Sequence, residues 1–208
     1  MKNVFMGVVV PLAILLPISV AALQLKQLNA MARIILAYLL TSAVVSLAAS
    51  AMIWNKMNNL PVSHIYTVVE FFFFTCFYRV LLPGKKTISA IQVCFLIACI
   101  LNTVYVQDLY QFNSYTRSLE ALVIMLLSVN YFALLFTDIS IVKPLQNPAF
   151  WFNTGIFLYF SGAFMLFIFS NYMLKESRAS FTVVWNMHAT LVLLMYLLFT
   201  LGFLKCKK

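Results

Sequence analysis

Charge is what this chain has least of. Charged residues fill 9% of its 208 positions and only 5 of them are acidic, where a soluble domain carries about 25%. With 64% hydrophobic residues and a mean hydropathy of +0.98, lipid rather than water is the solvent for most of the chain. The chain has 2 histidines, too few for a membrane zinc hydrolase that gathers several around its metal. The last apolar run has no lysine before Lys205, which argues against a retinal Schiff base. The 5 glycines form no phosphate loop, and no nucleophile elbow, HExxH, ExxH or CxxC spacing occurs. The 4 cysteines imply no disulfide framework: Cys76, Cys94 and Cys99 lie within apolar runs as small apolar residues, and Cys206 sits in a basic tail with Lys205, Lys207 and Lys208. Nothing here asks for a cofactor. The 14 Lys and Arg against 5 acids give a net charge of +9, yet these cations punctuate apolar runs instead of sharing a wet face, so no nucleic-acid partner is expected.

What the chain has in abundance is long apolar runs, and they read as an all-α polytopic membrane protein, a single bundle of seven transmembrane helices. The runs lie at 4–24, 34–54, 62–82, 88–106, 118–137, 150–172 and 181–204, each near the roughly 20 residues a helix needs to cross about 30 Å of hydrocarbon. Short connections between them carry the turn and charge signals. The first run also resembles a secretory signal peptide, with Lys2 before an apolar stretch and a cleavage-like Ser19-Val20-Ala21. The cations weigh against cleavage. One side of the membrane receives Lys2, Lys56, Arg117, Lys175 and Arg178; the other receives Lys26, Arg33, Arg79, Lys85, Lys86, Lys143, Lys205, Lys207 and Lys208. The positive-inside rule makes the second side cytoplasmic, which places the N-terminus out and the C-terminus in.

Packing signals follow. Ser42, Ser46 and Ser50 recur every four residues, and Gly155 and Gly162 lie seven apart with Tyr159 between them; small stripes let helix backbones approach closely. Pro11 and Pro17 are expected to kink the first helix. Trp54, Tyr105, Trp151 and Tyr172 fall near helix ends as interfacial aromatics do.

Against this background the polar residues inside the runs stand out. Glu70 interrupts SHIYTVVEFFFFTCFYRVLL, and a charge at mid-helix costs about 2.5 to 3.5 kcal/mol on insertion scales, so it should face protein or water. Glu70 lies about 12 Å and His188 about 10 Å below the outer end of their helices, matched depths. Glu120, Asn102 and Asn186 also fall in the outer half, and Tyr66 is four residues before Glu70, on the same helix face. Three readings fit this set. Glu70 and His188 can form a structural hydrogen-bonded pair, with the asparagines and Glu120 knitting helices together. They can line an outer pocket for a small molecule, a lipid or protons. Two carboxylates and an imidazole can also ligate Zn or Fe, although no motif spacing sharpens that option. Glu120 has a local partner available in Arg117, three residues earlier at the interface, and His64 is expected to be solvated before the third helix.

The strings NNLPVSHIYTVVEFFFF, FWFNTGIFLYFSGAFMLFIFSNY and VVWNMHATLVLLMYLLFTLGF resemble a family of small seven-helix membrane proteins of Bacteroidota, some beside or fused to sensor histidine kinases. That resemblance implies a sensor-like role in the bacterial inner membrane, with a histidine kinase or other membrane protein as partner. By matching position it singles out Tyr66, Glu70, Trp151, Asn153, Tyr159, Trp185 and His188. The reading is therefore a receptor-like or sensory module acting through a partner. The alternatives are a proton-coupled or small-molecule transporter and an intramembrane lipid-modifying enzyme using Glu70 and His188 as acid and base.

Overall fold

The computed structural model describes residues 4–137, 143–176 and 178–206, with the backbone alone over 170–181. Its described residues are helices joined by turns, and seven helices are long and apolar enough to cross a membrane. We label them α1 (Phe5–Leu23), α2 (Ala30–Trp54), α3 (Leu60–Leu81), α4 (Lys85–Tyr105), α5 (Ser114–Thr137), α6 (Pro148–Glu176) and α7 (Arg178–Leu204). Each helix packs on its neighbours in sequence, and α7 returns to α1, closing a ring; α3 also touches α5, and α2 touches α6.

Several helices begin before the apolar runs do, because polar residues make good first turns. Asn29 caps α2 by accepting from the Ala32 backbone N–H at 3.0 Å. Gly84, in the left-handed region at φ 81°, precedes α4, which starts at Lys85 rather than 88. The start of α5 at Ser114 rather than 118 matters most, since it carries Arg117 from a predicted loop into the helix. The predicted connection from Met173 to Ser180 is mostly helical. That stretch, rich in helix formers and lacking Gly and Pro, extends α6 to Glu176, and α7 resumes at Arg178. The Tyr172 side chain and residues Lys2, Asp138, Lys207 and Lys208 lie outside what is described.

Proline acts as expected in α1, a π-helical turn at Phe5–Val9 followed by Val10–Ala13 and, after a break at Ile14, Leu15–Leu23. Along α1, Val10, Ile14, Pro17 and Ala21 are buried, and the helix lies against α7. The tightest seam is α6 on α7. A Cβ at Gly155 would meet Phe199 at 3.0 Å, one at Gly162 would meet Leu191 at 2.7 Å, and one at Gly202 would meet Phe152 at 2.6 Å. In lipid, helices associate through such van der Waals contact rather than by escaping water.

The serine stripe on α2 behaves differently. Ser46 and Ser50 are exposed, and Ser42 and Ser46 border a cavity instead of meeting a helix backbone. Hydroxyls placed there have polar neighbours to serve. Below this level, toward the end of the bundle holding Leu82 and Cys206, the interior is aromatic. Phe71, Phe74, Phe77, Phe152, Phe160, Phe199 and Phe203 are all fully buried, many edge to face, as Phe74 on Phe160 and Phe152 on Phe203. Of the run Phe71 to Phe74, two rings point inward while Phe72 is exposed on the lipid-facing side.

Candidate functional site

Glu70 is the centre of a network that ties α2, α3 and α5 together. It is 1% exposed. Its Oε1 accepts from Tyr38 at 2.8 Å and from Tyr66 at 3.1 Å, and its Oε2 accepts from the Arg117 guanidinium at 3.3 Å. The local reason is helical spacing: Tyr66 and Glu70 are one turn apart on α3, and Tyr38 and Ser42 are one turn apart on the facing side of α2. Tyr66 also lies 3.0 Å from Ser42 and 3.5 Å from Tyr38. A phenol has one proton and a carboxylate only accepts, so Tyr66 donates to Glu70 and receives the Ser42 hydroxyl proton. Arg117 completes the arrangement as the only ion-pair partner recorded among the described residues, and its guanidinium also stands 5.7 Å from the Tyr66 ring and 5.3 Å from that of Phe167.

A cavity of about 330 Å³ opens beside this network. Tyr66, Ser42, Ser46, Ser63 and Asn59 form its polar wall, with Arg117 and His188; Phe112, Phe167 and Trp185 form its aromatic wall. It lies at the end of the bundle that carries the 55–59 and 106–113 connections. His188 meets Tyr159 Oη at 3.2 Å and sits among the rings of Tyr159, Phe167 and Trp185, with centroids 5.6 to 5.7 Å away.

The expected residues therefore divide. Tyr66 and His188 line one cavity and Glu70 is bonded to two of its lining residues, but Glu70 and His188 do not bond to each other: Glu70 is held by Tyr66 and Arg117, while His188 is held by Tyr159. The paired acid and base is corrected to two neighbouring groups with separate partners. The local Arg117–Glu120 pair is not formed either. Starting α5 at Ser114 buries Arg117, and it reaches across the helix interface to Glu70 instead of along its own helix. Glu120 is completely buried with neither oxygen hydrogen-bonded among the described residues.

Asn102 and Asn186 are not brought into the cavity wall. Asn102 donates to Gln107 at 3.2 Å, and Gln107 in turn donates to Phe112 O and Ser114 Oγ, so this asparagine staples the 106–113 connection. Asn186, two residues before His188, stands about 200° round the helix from it. His64, expected in water, is buried with its ring 3.0 Å from Gln111 O, because the same connection folds over the start of α3. There Asn113 bonds both Thr67 and Ser63. Among the described residues no three His, Cys, Asp or Glu side chains converge as a set of metal ligands.

A second polar cluster lies in the aromatic half. Asn153 Oδ1 accepts from Tyr78 at 2.8 Å and from Ser128 at 2.9 Å, and its amide N–H donates to Ser128 O at 3.3 Å. All three residues are fully buried. Trp151, four residues beyond Asn147, sends its indole N–H to Leu145 O at 2.9 Å and anchors the start of α6. Three partners in the Glu70 network were not anticipated: Tyr38, Ser42 and Arg117. The first two had a usable signal, a polar pair one turn apart on α2; the third was hidden by the late helix start. No family model, curated protein or solved structure matches this chain.

Proposed function

We propose that this seven-helix membrane protein is a receptor-like sensory module whose cavity takes a small amphipathic molecule and whose helices carry the event to a partner. The observation that carries the reading is Arg117, which lines the cavity and at the same time holds Glu70. A guest touching Arg117, Tyr66 or Ser42 competes with the bonds that join α2, α3 and α5, so occupancy and helix arrangement are linked. Trp185 and Phe167 offer the apolar surface and the hydroxyls the polar contacts that such pockets combine. The transporter reading requires a path through the layer of Phe71, Phe74, Phe160 and Phe199, all fully buried. The enzyme reading lacks its paired acid and base, since Glu70 and His188 have other partners.

We place the cavity on the outer face of the bacterial inner membrane, with the N-terminus out and the C-terminus in. Burial of Arg117 in an ion pair removes it from the outer cations and leaves Lys2, Lys56, Lys175 and Arg178 against nine on the other side. The resemblance of the third, sixth and seventh helices makes a histidine kinase the partner class to test.

Thermal stabilisation of purified protein by a panel of small amphipathic molecules tests the reading. A true guest raises the melting temperature of the wild type with the logarithm of its concentration once that exceeds Kd and leaves Ala49→Phe, which fills the cavity, unmoved. Stabilisation of both alike by every molecule overturns the proposal.

A further inference from the structure

Two carboxylates and one guanidinium share the space between α3, α5 and α6. Glu70 has three donors, Tyr38, Tyr66 and Arg117, and its charge is answered. Glu120, one turn along α5 from Arg117, is 0% exposed, and neither oxygen has a hydrogen-bond partner among the described residues. The groups that act on it electrostatically are Glu70 from α3, Cys99 from α4, Arg117 from its own helix and Tyr159 from α6. From α2 and α7, Tyr38 and His188 face Glu70 and Arg117 respectively. The one cation in this set is already paired with Glu70.

An ionised carboxylate buried without a protein donor is among the costliest groups a protein can hold, whereas a neutral carboxyl group loses only ordinary hydrogen bonds. We propose that Glu120 is a proton-binding site, holding one exchangeable proton while Arg117 serves Glu70. The proton resides on a Glu120 carboxyl oxygen as O–H. When released, it goes to water entering by the cavity that Arg117 lines, and two carboxylates then face one guanidinium. This inference does not rest on the small-molecule reading, and its failure would leave that reading standing.

Infrared spectroscopy of the protein in phosphatidylcholine vesicles at about pH 7 reads the proton directly. A chain with 5 acidic residues gives a simple carboxyl region. The expected spectrum has one protonated-carboxyl stretch, abolished by Glu120→Gln, moved in frequency by Glu120→Asp and left in place by Glu70→Asp. Glu120→Asp keeps the acid and serves if the glutamine variant does not fold. A wild-type spectrum without the band, a band indifferent to Glu120→Asp, or one moved by Glu70→Asp would each overturn the assignment.

Discussion

Around Glu70 and around Asn153, tyrosine hydroxyls from α3 meet a polar residue buried between helices, yet the two places do different things. At Asn153 every partner is neutral, the donors and acceptors match, and Phe77, Phe152 and Phe203 close the surroundings. At Glu70 the partners include a charge, two of them, Tyr66 and Arg117, line a cavity, and a second acid, Glu120, lies one turn from Arg117 with no donor among the described residues. A matched neutral cluster fixes helix positions and has no second arrangement to adopt. A cluster with one guanidinium, two carboxylates and an open wall has alternatives, which is what a responsive site needs.

The sharpest way to test this contrast is to remove its charge. Arg117→Met should cost about 3 to 5 kcal/mol, because Glu70 would be left buried and unpaired; Glu70→Gln in the same background should recover much of that loss, since the pair fails as a unit. Thermal unfolding in detergent measures both, and a loss below about 1 kcal/mol for Arg117→Met would mean the ion pair is not structural. Next in size, Asn153→Leu should cost about 1 to 3 kcal/mol by stranding the Tyr78 and Ser128 hydroxyls, less than breaking the charged pair. An equal or larger loss would erase the distinction between the two clusters.

A matched pair of insertions compares space instead of charge. Ala49→Phe, at the cavity wall, should stay within about 0.5 kcal/mol of wild type, whereas Ala163→Phe, at a fully buried alanine of α6, should lose about 1 to 3 kcal/mol through overpacking. Equal losses would show that the cavity has no room. The smallest effect concerns Cys206, just beyond the last span, where the thiol is buried and faces Gly202 O at 3.6 Å. Burial pushes this thiol up to about 11, so at neutral pH little of it is the reactive thiolate. Its alkylation should lag behind a free thiol and accelerate as the pH rises toward that value; fast labelling at neutral pH would show that this end is open.

Much of the scaffold was legible because it follows from composition and length. The apolar runs located all seven helices, and Gly155 and Gly162 marked a real seam against Leu191 and Phe199. Glu70 and Tyr66 were legible because an acid in an apolar helix must find partners and i, i+4 spacing supplies one. Pairing between helices was not legible. Arg117 lay outside the expected span, since hydropathy marks where lipid begins and not where helical hydrogen bonding begins, and so its pairing with Glu70 across the bundle was missed. His64 was misplaced, and the partner of Asn102 was missed, for a related reason: the 106–113 connection folds over the helix ends and supplies both partners, which no periodicity encodes.

Sided labelling of introduced cysteines tests the central claim most directly, that one end of the bundle holds a water-accessible cavity on the outer face while the other is closed. With the native cysteines replaced by alanine, Ser42→Cys and Ser128→Cys are each exposed to a membrane-impermeant maleimide added outside intact cells. The account predicts rapid modification of Ser42→Cys and protection of Ser128→Cys. Equal rates at the two positions, or modification of Ser42→Cys only after the cytoplasmic face is opened, would contradict it.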